Sequence, residues 1–224
     1  MCGIIGYIGK QQATPILIEG LRRLEYRGYD SAGVAVLQNR ELGIRKKKGK
    51  IDEGLAKLVQ GSPIYGQVGM GHTRWATHGP PTDENSHPHL DQSGKIAVVH
   101  NGVIENFDSL KERFLKGGDT FKSATDTEVL AHLIGHHYEA LVAAGKATWS
   151  GEGTHPLAQA VMNALREVIG TYGIGVICTD HPGVMVGARR GSPLIVGVGE
   201  GEHFLASDAS AIVSHTRTVI YLKD

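Results

Sequence analysis

Apolar and polar positions change period several times along the chain, and each change marks an element. Ile4, Ile5, Tyr7 and Ile8 follow Cys2 directly and predict a strand over residues 2–9. Thr14-Pro15 then predicts a helix start, with Thr14 as N-cap and Pro15 at the first helical position. Leu17, Leu21 and Leu24 give that helix one apolar face, and Gly28 ends it. Residues 32–37 and 41–48 alternate apolar with small or polar side chains about Gln38-Asn39-Arg40, the pattern of a hairpin. Asp52 is placed to cap a short helix through Gln60, with Leu55, Leu58 and Val59 inward. Residues 67–73 read as a further strand. A loop rich in His, Pro, Thr and Asn follows over 76–92.

Residues 95–100 form a strongly apolar strand ending at Asn101-Gly102, and 107–116 a helix with Leu110 and Phe114 on one side. Thr125-Asp126-Thr127-Glu128 has the spacing of a capping box before a long helix carrying Val129, Leu133, Ile134 and Leu141. Residues 145–155 are a polar loop and 156–169 a helix. Beyond Tyr172 strands dominate, over 173–179, 183–189, 194–198, 202–206 and 218–222. Runs of strands with helices grouped between them predict an α+β fold with antiparallel sheets rather than a βαβ alternation. Without repeat or linker, residues 1–224 read as one domain.

Composition narrows the function classes. Twenty-three basic residues balance 23 acidic ones, so nothing points to nucleic acid or an anionic membrane as a partner. The basic run from Arg45 to Lys50 reads as a solvated strand edge. The two cysteines, Cys2 and Cys178, lie far apart and make no disulfide framework; Cys178, in an apolar run, reads as a buried thiol. No stretch has membrane-spanning length and no signal peptide precedes the core, so the cytoplasm is the expected compartment.

The chemistry starts at Met1-Cys2-Gly3. Removal of Met1 would leave a thiol and a free α-amine on one residue, nucleophile and base together. A Met-Cys start is by itself common, but the apolar run behind it pins this terminus into a core. The stretch 26–33, with Tyr26, Arg27 and Tyr29 among glycines, reads on spacing as a helix end turning into a strand. The stretch 72–79 carries Arg74, Trp75, Thr77 and His78. Arg74 suits either a carboxylate clamp or a structural ion pair. Asn101-Gly102 is a candidate oxyanion hole, although a two-residue hairpin turn fits the dipeptide better on its own. Asp126, in the first turn of its helix, suits a substrate ammonium or helix stabilisation alone. His72, His78, His87, His89 and His100 crowd one region without metal-ligand spacing, so no metal is expected; His132, His136 and His137 read as solvent-facing or hydrogen-bonded.

Several of these stretches together carry a resemblance: Met1-Cys2-Gly3-Ile4, residues 21–33, residues 71–79, residues 85–89, Val99-His100-Asn101-Gly102 and residues 125–128. In this order they resemble, over essentially the whole chain, the glutaminase domain of the glucosamine-6-phosphate synthases (glutamine–fructose-6-phosphate aminotransferases), which are class II, N-terminal-nucleophile glutamine amidotransferases. The resemblance implies a four-layer αββα sandwich of two antiparallel sheets between helices. It implies that Cys2 attacks the side-chain amide of L-glutamine and passes through a thioester to release ammonia and glutamate, with no cofactor. Asn101 and Gly102 would form the oxyanion hole. Arg74, with Thr77 and His78 beside it, would take the α-carboxylate and Asp126 the α-ammonium. Trp75 would lie on a closing loop, and Arg27 would organise the pocket near the N-terminus. The acceptor, fructose 6-phosphate, belongs to sugar-isomerase domains that this chain does not contain, and the full-length enzyme would be a homo-oligomer. The loop over 144–155 is longer than the bacterial family leads one to expect. Three other readings differ at the same residues: the glutaminase domain of another class II amidotransferase, a non-catalytic glutamine-binding domain of this fold, and a cysteine-peptidase-like hydrolase.

Overall fold

The structure, a computed structural model, describes residues 2–76 and 79–224. The expectations for Thr77 and His78, and for Met1, lie outside the described residues. The strands are β1 (Gly3–Ile8), β2 (Ser31–Gln38), β3 (Glu41–Lys48), β4 (Val68–Arg74), β5 (His89–Leu90), β6 (Ile96–Ile104), β7 (Gly170–Cys178), β8 (Met185–Arg190), β9 (Ile195–Gly199), β10 (Glu202–Ala206) and β11 (Val219–Tyr221). The helices are α1 (Ala13–Leu24), α2 (Leu55–Gly61), α3 (Phe107–Gly117), α4 (Asp126–Ala143) and α5 (Pro156–Glu167). One sheet has the order β11-β9-β10-β1-β4-β2-β3 and the other β5-β6-β7-β8; neighbouring strands in both are antiparallel.

Among the described residues three separate cores follow from the two-residue period of these strands. Ile5 and Tyr7 of β1 and Val34 and Val36 of β2 pack with Leu17, Leu21 and Leu24 of α1. Ile96 and Val98 of β6, with Ile174 and Val176 of β7, pack under α3, α4 and α5. The alternate positions Ile4, Ala35, Met70, Ala97, Val99 and Ile177 fill the space between the sheets. The order of layers is therefore helix, sheet, sheet, helix, the expected αββα sandwich. Strand β6 is apolar without alternation because it is buried on both faces. A fully buried Leu such as Leu17 or Leu21 contributes roughly 1.5–3 kcal/mol by leaving water.

Several boundaries differ from the sequence reading. Helix α1 begins two residues earlier, and Thr14 is not its cap: its hydroxyl donates to the Ile64 carbonyl at 2.7 Å. Asp52 does not cap α2 but pairs with Arg22 at 2.7 Å. The loop over 76–92 contains the short strand β5. The capping box is half formed: Thr125 Oγ1 accepts from the Glu128 N–H, but the Glu128 carboxylate turns to the N–H groups of Lys122 and Ser123. Strand β6 does not stop at His100 but runs on to Ile104, so Asn101-Gly102 is strand and not turn. The predicted hairpin is present, with Asn39 and Arg40 both at positive φ. Strand β3 is a sheet edge as expected, but its lysines are not merely solvated. Lys46 donates to the Glu84 carbonyl and Lys47 pairs with Asp83, tying down the loop that leads to β5.

Candidate active site

Register brings the site together. β1 lies at the middle of the larger sheet, antiparallel to β4, with Gly3 opposite Thr73. The start of β1 therefore meets the end of β4, and Cys2 stands beside Arg74 and Trp75. The Trp75 N–H donates to Cys2 Sγ at 3.2 Å, and the thiol faces the Trp75 carbonyl at 3.6 Å. Thr73 Oγ1 accepts from the Gly3 N–H at 3.1 Å, and Ser207 Oγ accepts from the Ile4 N–H at 2.9 Å. These bonds fix the backbone that carries the thiol. Burial pushes the Cys2 thiol above its ordinary pKa, while the Trp75 N–H and the Arg74 charge pull it down.

The smaller sheet supplies the facing wall. Asn101 on β6 donates from Nδ2 to the Cys2 carbonyl at 3.0 Å, reaching from one sheet to the other. Arg27 Nε donates to the same carbonyl at 3.2 Å, and its guanidinium pairs with Asp208. Gly102 follows Asn101 at φ 136°, where a Cβ would stand 2.1 Å from the Thr171 carbonyl oxygen, so only glycine fits. Gly102→Ala is accordingly expected to destabilise the fold by roughly 1–3 kcal/mol from backbone strain alone, with the overlap adding to it. A urea midpoint equal to that of the unmodified chain would contradict this.

The N-terminus of α4 closes the pocket. Asp126 is buried, and its Oδ2 accepts from the Ile104 N–H at 2.9 Å, so the end of β6 and the start of α4 are joined through the carboxylate. Arg74 is buried as well, and its guanidinium donates to the carbonyls of Gly79 and Pro80 at 3.2 Å. The stretch 26–33, read on spacing as a helix end turning into a strand, supports this segment. Gly28 packs against the Arg74–Trp75 peptide, Asp30 Oδ2 accepts from the Ala76 N–H, and the rings of Tyr29 and Trp75 meet edge to face at 5.7 Å. Cys2, Arg27, Arg74, Trp75, Asn101, Gly102 and Asp126 all line one cavity of about 300 Å³, at the lower end of the size range of small-molecule sites.

Every candidate residue among the described ones is thus brought to one place. Sequence reasoning did not single out Thr73, Ser207 or Asp208 as supports, nor Ser192 and Pro193, which line the cavity from the turn after β8. No local signal marks them, because each acts through register or long-range contact. Among the described residues no group of three or more His, Cys, Asp or Glu side chains is arranged to hold an ion. His72, His87 and His89 are buried, and burial drives their pKa values well down. His132 and His136 both bond the Asp119 carboxylate, and His137 bonds Glu167. Cys178 is buried beneath the helices, its thiol pushed up to about 11 by burial above all. No helix is long and apolar enough to cross a membrane among the described residues.

Comparison with known proteins fits this geometry. A family model described as a glutamine amidotransferase domain matches residues 59–149. Over all 224 residues the chain is 51% identical to the glutamine–fructose-6-phosphate aminotransferase (isomerizing) of Caldanaerobacter subterraneus, covering 34% of that protein. It is 50% identical to the enzyme of the same name from Aquifex aeolicus, covering 35% of it. The chain thus spans about a third of the length of the curated relatives it matches. Among solved structures, the glutamine phosphoribosylpyrophosphate amidotransferase of B. subtilis is 29% identical with a TM-score of 0.76, the match covering 99% of this chain and 45% of that one. A class-II glutamine aminotransferase domain protein from Silicibacter pomeroyi shares the fold at 16% identity, with a TM-score of 0.57 over 99% of this chain and 91% of that one. By these matches and by its fold, the chain belongs to the glutamine amidotransferase domain family.

Proposed function

We propose that the cavity binds L-glutamine and that Cys2 hydrolyses its side-chain amide. The observation that carries this reading is the meeting of the Cys2 carbonyl with Asn101 Nδ2 at 3.0 Å, with the Trp75 N–H on the sulfur, in a cavity also lined by Arg74 and Asp126. An amino-acid zwitterion needs a cation and an anion in one pocket, and Arg74 and Asp126 supply them. Thr77 and His78 would assist Arg74 at the carboxylate.

The chemistry follows in two halves. The Cys2 thiol gives its proton to the α-amine that removal of Met1 frees, and the resulting thiolate adds to the amide carbon. The negative oxygen takes hydrogen bonds from the Asn101 amide and the Gly102 N–H, donors of a kind that contribute about 2.7–4 kcal/mol each to the transition state. Collapse breaks the carbon–nitrogen bond, the amine returns its proton to the leaving nitrogen, and ammonia departs, leaving a γ-glutamyl thioester. Water, losing a proton to the amine, then adds to the thioester carbon, the carbon–sulfur bond breaks, the sulfur takes the proton back, and glutamate is released. Arg27 holds the Cys2 carbonyl, and Trp75 shields the site from its loop.

Within a longer polypeptide the ammonia would pass to fructose 6-phosphate bound by isomerase domains, giving glucosamine 6-phosphate in a cytoplasmic homo-oligomer. Identity near 50% to the fructose-6-phosphate enzymes, against 29% to the phosphoribosylpyrophosphate enzyme, favours that acceptor. The test is glutamate release by this 224-residue chain, with acid-quenched intact-mass spectrometry. The expected result is steady turnover, a chain lacking Met1, and a transient mass increment of one γ-glutamyl group on Cys2. Glutamine binding without glutamate release would leave only the non-catalytic reading. Full activity with Met1 retained would remove the free amine from the mechanism.

A further inference from the structure

We infer that His72 is a positioning residue, which locks the Asn101 side-chain amide with its NH2 toward Cys2 by donating a hydrogen bond from Nε2 to Oδ1. The kinetic consequence rests on the glutaminase reading; the geometry does not.

His72 lies in the middle of the molecule, on β4 opposite Ile4, and reaches between the sheets to β6. Its Nε2 is 2.9 Å from the His100 backbone carbonyl and 3.0 Å from Asn101 Oδ1. A backbone carbonyl only accepts, so Nε2 carries the proton. An Nε2–H can face an amide oxygen but not an amide NH2. The opposite end of the Asn101 amide obeys the same rule, since Nδ2 lies 3.0 Å from the Cys2 carbonyl, another obligate acceptor. Rotating the amide by half a turn would set NH2 against N–H at one end and oxygen against oxygen at the other. The two sheets therefore hold the amide in one orientation, and its second N–H remains for a developing oxyanion.

The surroundings keep His72 in this single form. Its ring is fully buried and stacks on His87 at a centroid distance of 4.2 Å. The Nδ1 atoms of both rings are buried without a hydrogen-bond partner among the described residues, as a bare nitrogen tolerates better than an N–H. Burial first, then the nearby His100 and Arg74, holds the His72 pKa at about 3, so the ring stays neutral through the working range. A neutral ring of fixed tautomer is a directional donor and not a proton carrier.

The test compares His72→Phe, which removes the donor, with His72→Gln, which returns an N–H near the Nε2 position. For His72→Phe we expect kcat for glutamine to fall about 10- to 100-fold with KM within about threefold, and for His72→Gln to recover most of the loss. A packing defect would spare neither variant, so melting temperatures are read alongside. In 15N spectra of the unmodified chain the ring should give a protonated Nε2 and a bare Nδ1 across neutral pH. The Asn101 side-chain amide, assigned by its absence from Asn101→Asp, should shift or broaden in His72→Phe. An Nδ1–H tautomer, an unmoved Asn101 signal, or equal kcat losses in both variants would overturn the inference. Failure of the unmodified chain to release glutamate would instead overturn the glutaminase reading, while the ring tautomer still judges His72.

Discussion

Cys2→Ala is expected to abolish glutamate release, by roughly 10⁴-fold or more, as removal of a covalent nucleophile does elsewhere, while glutamine still binds. The separation of the two effects follows from which atoms of Cys2 do what. Chemistry needs Sγ. Architecture needs the backbone: Arg27 and Asn101 both bond the Cys2 carbonyl, and the neighbouring Gly3 N–H is held by Thr73. Alanine keeps those bonds and loses only the sulfur and its bonds to the Trp75 backbone. Arg74 and Asp126, the proposed zwitterion clamp, stand on β4 and α4 and do not depend on the thiol. Calorimetric titration should therefore give a dissociation constant close to the KM of the unmodified chain, on a protein with an unchanged melting temperature. Substantial glutamate release by Cys2→Ala would mean that another group does the chemistry. Lost binding would mean that the sulfur is part of the recognition site.

How much of this was legible in the sequence depended on distance along the chain. Most elements and the antiparallel α+β class followed from period, because alternation in β1 and β2 and the Leu17–Leu21–Leu24 face of α1 are local, whereas the four-layer order came from the resemblance. Asn101-Gly102 shows where local signals mislead. The dipeptide suits a tight turn, and only pairing with β7, some 70 residues later, keeps it extended. The same limit hid the supports of the nucleophile: Ser207 meets Ile4, and Asp208 meets Arg27, across most of the chain's length. Thr14 and Asp52 had the right chemistry for caps, but tertiary partners, the Ile64 carbonyl and Arg22, claimed them. The resemblance supplied the roles that spacing left open. The structure adds that the residues carrying them line a single cavity, Thr77 and His78 lying outside the description.

Asp126 is expected to matter for binding far more than Arg27 does. Its buried carboxylate accepts from the Ile104 N–H on Oδ2, with His100 Nδ1 3.9 Å from the same oxygen, and it borders the cavity. Asp126→Asn retains an acceptor for that N–H and so keeps the join between β6 and α4, but it removes the charge. Loss of α4 dipole stabilisation costs only about 0.3–1 kcal/mol. Loss of a buried partner for a substrate ammonium costs about 2–5 kcal/mol, so Asp126→Asn should raise the KM for glutamine at least about 30-fold, and Asp126→Ala no less. Arg27 meets the backbone of Cys2 and Asp208 rather than the proposed ammonium site. Arg27→Ala should therefore act on kcat and stability and leave KM within about threefold, by the measure that tenfold is 1.4 kcal/mol. The sharpest comparison uses 4-carbamoylbutanoate, which is glutamine without its amine. The unmodified chain should discriminate strongly against it, and Asp126→Asn should lose most of that discrimination by failing on glutamine rather than by improving on the analogue. Equal small changes in Asp126→Asn and Arg27→Ala, or discrimination that survives without the carboxylate, would take Asp126 out of the substrate site and leave it as the link between strand and helix alone.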